Sequence, residues 1–286
     1  MSRFVTSITI WFLVQLAGEN GFTSGKIVHH QIQSDILANA GQASNRELSV
    51  YLPEGYESSE DTYPTIYLLH GASGTNRTFL GAGYQGTYMT GINANLIADP
   101  LIQEGKIKPL IIIFPNMNRE WGRELDPYDD YFVKEIVPFI DTTYRTAARR
   151  EQRAITGHSE GGHGALHIAF SFPELFRFVG GLSSSSPGGP LPGASIINAH
   201  NQNNYFLQFW LYVGQNDDFP DIPPQNHILV TLLEAAGLPY TFIEDTGTHF
   251  NMIARRLEEN FIFFSEQFDA LFQSQGRLTD QWNKFK

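Results

Sequence analysis

The sequence contains no cysteine in 286 residues. That excludes disulfides, thiolate nucleophiles and cysteine-ligated zinc, and it leaves the redox compartment open. Basic residues are scarce as well: 19 Lys and Arg stand against 30 Asp and Glu, a formal net charge of −11. Nucleic acid and anionic membrane surfaces both need a basic patch, so neither is expected as a partner. The short arginine-rich stretch Arg145 to Arg153 reads as a solvated helix end and loop. Long apolar runs are missing too. The stretch Phe4–Ala17 is too short to span a membrane. With Arg3 ahead of it, it has the layout of a signal peptide, so residues 1–24 read as a leader or N-terminal extension. Secretion is therefore expected, with a cytoplasmic chain as the alternative. Asn76-Arg77-Thr78 is a glycosylation sequon for a eukaryotic secretory route. No internal repeat or linker appears, and residues 25–286 read as one domain.

What is present is an alternation of apolar β-type runs with amphipathic helical stretches. That pattern predicts an α/β fold, a mainly parallel central sheet with helices on both faces. Strands are expected at Glu47–Leu52, Thr65–Leu69, Leu110–Phe114, Arg153–Thr156, Phe178–Leu182, Gln208–Val213 and Tyr240–Glu244. Helices are expected at Ala94–Gln103, Asp130–Tyr144, Gly161–Phe170, Pro224–Ala236 and Ile253–Phe272. Phe261, Phe264, Phe268, Leu271 and Phe272 recur at helical spacing and read as a core stripe. Ser183–Asn204, rich in Ser, Gly, Pro and Asn, has no period. It reads either as a pocket rim over the carboxyl ends of the strands or as an ordinary surface loop.

The densest chemical signal is Gly157-His158-Ser159-Glu160-Gly161, a G-x-S-x-G pattern. An apolar strand runs into it and a helix follows, the context of a nucleophile elbow. The serine must sit in a strained turn so tight that only glycine fits on either side. The amides of the following helix then point at the spot where negative charge would develop.

A serine hydroxyl is a weak nucleophile without a base, so a histidine and an acid are expected downstream. His249 follows the strand ending near Glu244, and Asp217 follows the strand Phe209–Val213 through Gly214-Gln215-Asn216. Asp218 is the rival acid, with Asp221 and Asp245 weaker; His70, His227, His29 and His30 are less suitable bases. Tyr67–Gly74, an apolar strand ending in His-Gly and small residues, supplies an oxyanion donor from Ala72 or Gly71. The amide of Glu160 would supply the other. His158, His163 and His167 include an i, i+4 pair that could hold a metal, but packing is the favoured reading, and no metal or cofactor is expected. Trp121, Tyr84, Tyr88, Phe219 and Phe250 are candidate pocket aromatics.

Together these residues resemble the esterase family of α/β-hydrolases, which includes esterase D-type enzymes, feruloyl and acetyl xylan esterases and bacterial mycolyltransferases. LSVYLPEGY (Leu48–Tyr56), YPTIYLLHG (Tyr63–Gly71), GKIKPLIIIFPN (Gly105–Asn116) and GHSEGG look like successive family segments. The resemblance implies the α/β-hydrolase fold, with Ser159 as nucleophile, His249 as base and Asp217 as its orienting acid. Glu160 stands where the family often has an apolar residue, and the segment after Leu182 resembles no particular subgroup. The expectation is a serine carboxylic ester hydrolase working through an acyl-enzyme on a small or aryl ester. An acyltransferase or lactonase with the same triad is the alternative, and a non-catalytic binding protein is the alternative of another class. The expected partner is a small-molecule ester, with a homodimer allowed for.

Overall fold

The computed structural model describes residues 24–84, 88–117, 127–184, Ile197 and 205–283, with side chains as far as Ala270. The predicted leader therefore lies outside the described residues, as do Trp121, the side chains of Leu271 and Phe272, and nearly all of Ser183–Asn204.

Eight strands form one sheet: β1 (Lys26–Gln33), β2 (Asn45–Leu52), β3 (Thr65–Leu69), β4 (Ile111–Pro115), β5 (Arg153–Gly157), β6 (Phe178–Leu182), β7 (Gln208–Gly214) and β8 (Tyr240–Asp245). Their order is β1-β2-β4-β3-β5-β6-β7-β8. The β1–β2 and β2–β4 pairs are antiparallel, and all later neighbours are parallel. The middle strands are apolar on both faces because helices cover both. Alternate residues separate the two cores. Tyr67, Leu69, Ile111, Ile113, Phe209 and Leu211 enter one, and Ile66, Leu68, Ile112, Phe114, Trp210 and Tyr212 enter the other.

The first core is closed by α3 (Pro127–Tyr131), α4 (Val137–Thr143), α5 (Glu160–Ser171) and α6 (Ile222–Ala235), with α1 (Asp35–Asn39) at its rim. The second is closed by α2 (Ala94–Gln103) and α7 (Ile253–Asn283). Ile253, Leu257, Phe261, Phe264 and Phe268 of α7 are buried at helical spacing, as the stripe predicts.

Four local expectations differ from the structure. β1 has no counterpart in the predicted strands. It is an edge strand of sequence KIVHHQIQ, half-buried at alternate positions, so its apolar period is shallow. The helix expected over Asp130–Tyr144 is interrupted by a π-turn at Phe132–Ile136. Pro138 stands two residues on; it has no N–H to donate to the carbonyl one turn back, and the widened turn before it accommodates that loss. α7 runs beyond Phe272 to Asn283, because no proline stops a helix whose apolar stripe has ended. The arginine stretch is not solvated throughout: Arg153 is 4 % exposed and donates to Asp141 Oδ2 at 2.6 Å and to the Leu175 carbonyl at 3.0 Å.

Asn76 of the sequon is 1 % exposed, and its Nδ2 donates to Ser49 Oγ at 2.7 Å. The folded chain has no room for a glycan there. Among the described residues, no helix is long and apolar enough to cross a membrane.

Phe261 is fully buried between α7 and the sheet. Phe261→Ala is expected to destabilise the fold by about 3–5 kcal/mol, because the cavity cannot collapse fully. A urea titration checks this; a loss below about 1 kcal/mol would contradict the packing described.

Candidate active site

The parallel strands leave their carboxyl ends on one edge, and the chemistry-bearing residues gather there. β5 delivers Ser159, the residue before α5. Its backbone sits at φ 58°, ψ −124°, in a region a non-glycine residue enters at a cost of roughly 1–3 kcal/mol. Three bonds hold it: Ser159 N–H donates to the Leu182 carbonyl at 2.9 Å, His158 N–H to the Leu69 carbonyl at 3.3 Å, and His163 N–H to the Ser159 carbonyl at 3.1 Å. The glycines follow from the tightness of the turn. A Cβ on Gly157 would collide with the Gly161 backbone, and one on Gly161 with the Leu69 and His70 carbonyls.

Two adjacent strands supply the next pair. Asp217 leaves the end of β7 and His249 follows β8. Gln215 N–H donates to the Asp245 carbonyl at 2.7 Å, and Asn216 N–H to the Gly247 carbonyl at 3.0 Å, so the two loops travel together. His249 Nδ1–H donates to Asp217 Oδ2 at 3.0 Å, with side chains only 1 % and 0 % exposed. A carboxylate can only accept, so Nδ1 carries the proton and Nε2 is the basic nitrogen. Asp217 Oδ1 accepts the Phe219 N–H at 2.9 Å, which completes a buried carboxylate. The rival acid, Asp218, has a different place: its Oδ2 accepts the backbone N–H of His249 at 3.1 Å. Asp245 accepts from Gly247 N–H at 2.7 Å and Tyr212 Oη at 3.0 Å and pairs with Arg256, so it anchors the histidine loop. Asp221 only precedes α6, without a side-chain cap.

The loop after β3 is fixed by His70. Met117 N–H donates to its Nε2 at 3.1 Å, so Nδ1–H donates to the Gly71 carbonyl at 2.8 Å. Gly71 N–H in turn donates to Tyr84 Oη at 2.7 Å. Of the two residues named for this loop, Gly71 therefore has its amide engaged, and Ala72 lines the cavity. Glu160 is 4 % exposed and heads α5, where amides point out along the axis.

A cavity of about 250 Å³ opens between these loops, lined by Ala72, Ser73, Tyr84, Tyr88, His158, Ser159, Phe219, His249 and Phe250. Ser159 and His249 thus border one space. Phe219 is half exposed and meets His249 edge-on, with centroids 4.8 Å apart. Tyr88 stacks on Phe250 at 4.5 Å and 14°. Tyr84 contributes its ring but turns its hydroxyl away to Gly71 and His158. Sequence reasoning overlooked Ser73; its left-handed φ of 60° has no sequence signal beyond the small-residue loop.

Two of the three histidines near the elbow have separate partners. His158 bonds Tyr84 and the His249 carbonyl, and His167 pairs with Asp129 at 2.8 Å. Among the described residues, no group of three His, Asp or Glu side chains is arranged to hold a metal ion.

Burial lowers the His70 pKa to about 4, against smaller opposing contributions from its bonds to Gly71 and Asn116. Burial, and next the neighbouring His249, holds His158 well below the ordinary histidine value. Both are neutral when folded, whereas the unfolded chain takes up protons near pH 6.5. Their stabilisation is therefore complete above that value and is lost as the pH falls. His70 alone should cost on the order of 1–3 kcal/mol between pH 6.5 and 4. Urea titrations at pH 7 and pH 5 test this, and equal stability at both would contradict it.

Comparisons with known proteins bear on the family and the fold. A family model described as "Putative esterase" matches residues 41–236. An endo-1,4-beta-xylanase/feruloyl esterase of Xylanibacter ruminicola is 30% identical over 174 residues, 56% of this chain and 22% of that protein. The chain thus spans less than a third of the length of the first curated relatives it matches. A ferulic acid esterase structure superposes with TM-score 0.69 at 23% identity, covering 85% of this chain and 99% of that one. A feruloyl esterase module from Clostridium thermocellum, complexed with sinapinate, superposes with TM-score 0.69 at 18% identity, covering 85% and 89%. The structural likeness establishes the α/β-hydrolase fold. The family model, spanning well over half of the sequence, establishes that the chain belongs to the Putative esterase family.

Proposed function

We propose that the protein is a serine carboxylic ester hydrolase. The observation that carries this reading is the buried Asp217–His249 pair, whose imidazole borders the same cavity as Ser159. In it, Ser159 Oγ attacks the ester carbonyl while His249 Nε2 takes its proton. Asp217 keeps the imidazole in the required tautomer and stabilises the imidazolium. The Ala72 and Glu160 amides hold the oxyanion at the N-terminus of α5. His249 then protonates the departing alcohol, and water releases the acyl group by the reverse sequence. This requires no cofactor.

The cavity walls support a small ester with a flat apolar or aryl group. The stacked Tyr88–Phe250 pair and the half-exposed Phe219 offer ring faces and edges, and the volume of about 250 Å³ admits only a small group. The xylanase/feruloyl esterase relative, named for an aryl ester activity, points the same way. Export is part of the reading, supported by the basic-then-apolar start of the sequence.

Ser159→Ala is expected to lower kcat on p-nitrophenyl acetate by on the order of 10⁴–10⁶. Asp217→Asn, which keeps the shape but favours the wrong tautomer, should lower it by roughly 10³–10⁴. A fluorophosphonate probe should label wild type on Ser159 and leave the alanine variant untouched. Near-normal turnover by Ser159→Ala would sink the proposal, as would an unlabelled Ser159 in folded wild type.

A further inference from the structure

His158 sits beside the nucleophile, fully buried, and the reaction sequence above gives it no task. Its two ring nitrogens are both engaged. Nδ1 lies 3.0 Å from Tyr84 Oη, and Nε2 lies 2.8 Å from the backbone carbonyl of His249. Tyr84 Oη also accepts the Gly71 N–H at 2.7 Å. These three bonds run in one direction only. An amide N–H can only donate and a carbonyl can only accept. The chain is therefore Gly71 N–H to Tyr84 Oη, Tyr84 O–H to His158 Nδ1, and His158 Nε2–H to the His249 carbonyl. It needs a neutral imidazole, and burial keeps His158 in that form.

The chain ties two distant parts of the long β3–α2 connection, one carrying Ala72 and the other Tyr84, to the elbow and to the loop bearing His249. We infer that His158 and Tyr84 form a strut that sets the His249 imidazole and the Gly71–Ala72 amides relative to Ser159. The ring packing agrees, since His158 lies 4.6 Å from His249 and 5.8 Å from Tyr84 between centroids. His158 is thus a positioning residue. It takes no part in the proton transfer, and it acts on kcat through the placement of groups that do. Misplacement of such groups by an ångström lowers the rate far more than it weakens binding. The inference rests on reading Ser159 and His249 as nucleophile and base.

The test compares His158→Leu, His158→Gln, His158→Asn and Tyr84→Phe on p-nitrophenyl acetate, with kcat normalised to the p-nitrophenol burst. Glutamine places an amide donor where Nε2 stood, and asparagine does not. His158→Leu and His158→Asn should lose roughly 10- to 100-fold in kcat with KM within about threefold. His158→Gln should recover to within about fivefold of wild type, and Tyr84→Phe should lose about three- to tenfold. A merely structural role would lower the folded fraction and the burst together and leave kcat per active site unchanged. Wild-type-like kcat in His158→Leu, or equal loss in the glutamine and asparagine variants, overturns the inference. If His158→Leu does not fold, Tyr84→Phe decides: it removes only the hydroxyl, and an unchanged normalised kcat overturns the inference. A wild type that turns over with no burst and no label on Ser159 would instead remove the underlying reading.

Discussion

A hydrogen bond between two side chains that water barely reaches governs the rest of this site. Asp217 and His249 meet at 3.0 Å, almost wholly buried. A buried carboxylate is costly unless its oxygens are satisfied. Here one oxygen accepts the imidazole and the other the Phe219 amide. With Nδ1 held in this way, the His249 imidazole borders the cavity from a fixed position. Asp218 and Asp245 serve the same end by different means: one holds the His249 amide, the other the turn that leads to it.

The fold makes that meeting possible at low cost. Parallel strands bring successive loops out at one edge, so residues separated by tens of positions become neighbours. The elbow residue is forced into a strained conformation, and the strain is held by bonds to the backbones of β3 and β6. The two glycines fit because the backbones of α5 and β3 occupy the space a side chain would need. Rigid packing on both sheet faces, by α7 on one side and α5 with α6 on the other, keeps these approaches fixed.

Much of this was legible in the sequence because it depends on short-range pattern. Strands apolar on both faces, such as TIYLL and IIIFP, announce a covered parallel sheet. The meeting of Asp217 with His249 follows from each standing just past a strand end. Other features had no local signature. β1 is a half-wet edge strand whose period is blunted by His29, His30 and Gln31. The π-turn answers to Pro138 only once the helix is packed. The engagement of Gly71 by Tyr84 joins residues across an irregular loop, and no periodicity predicts it. Arg153 looked like a surface charge because its partner, Asp141, lies on a different element.

The account stands or falls on whether an acyl group passes through Ser159. The direct measurement is intact-protein and peptide mass spectrometry after acid quench during turnover of a slowly hydrolysed aryl ester. One acyl group per chain on the peptide holding Ser159, absent in His249→Ala, is the predicted result. Continued hydrolysis with the acyl group on another residue, or undiminished acylation of Ser159 in His249→Ala, would contradict it.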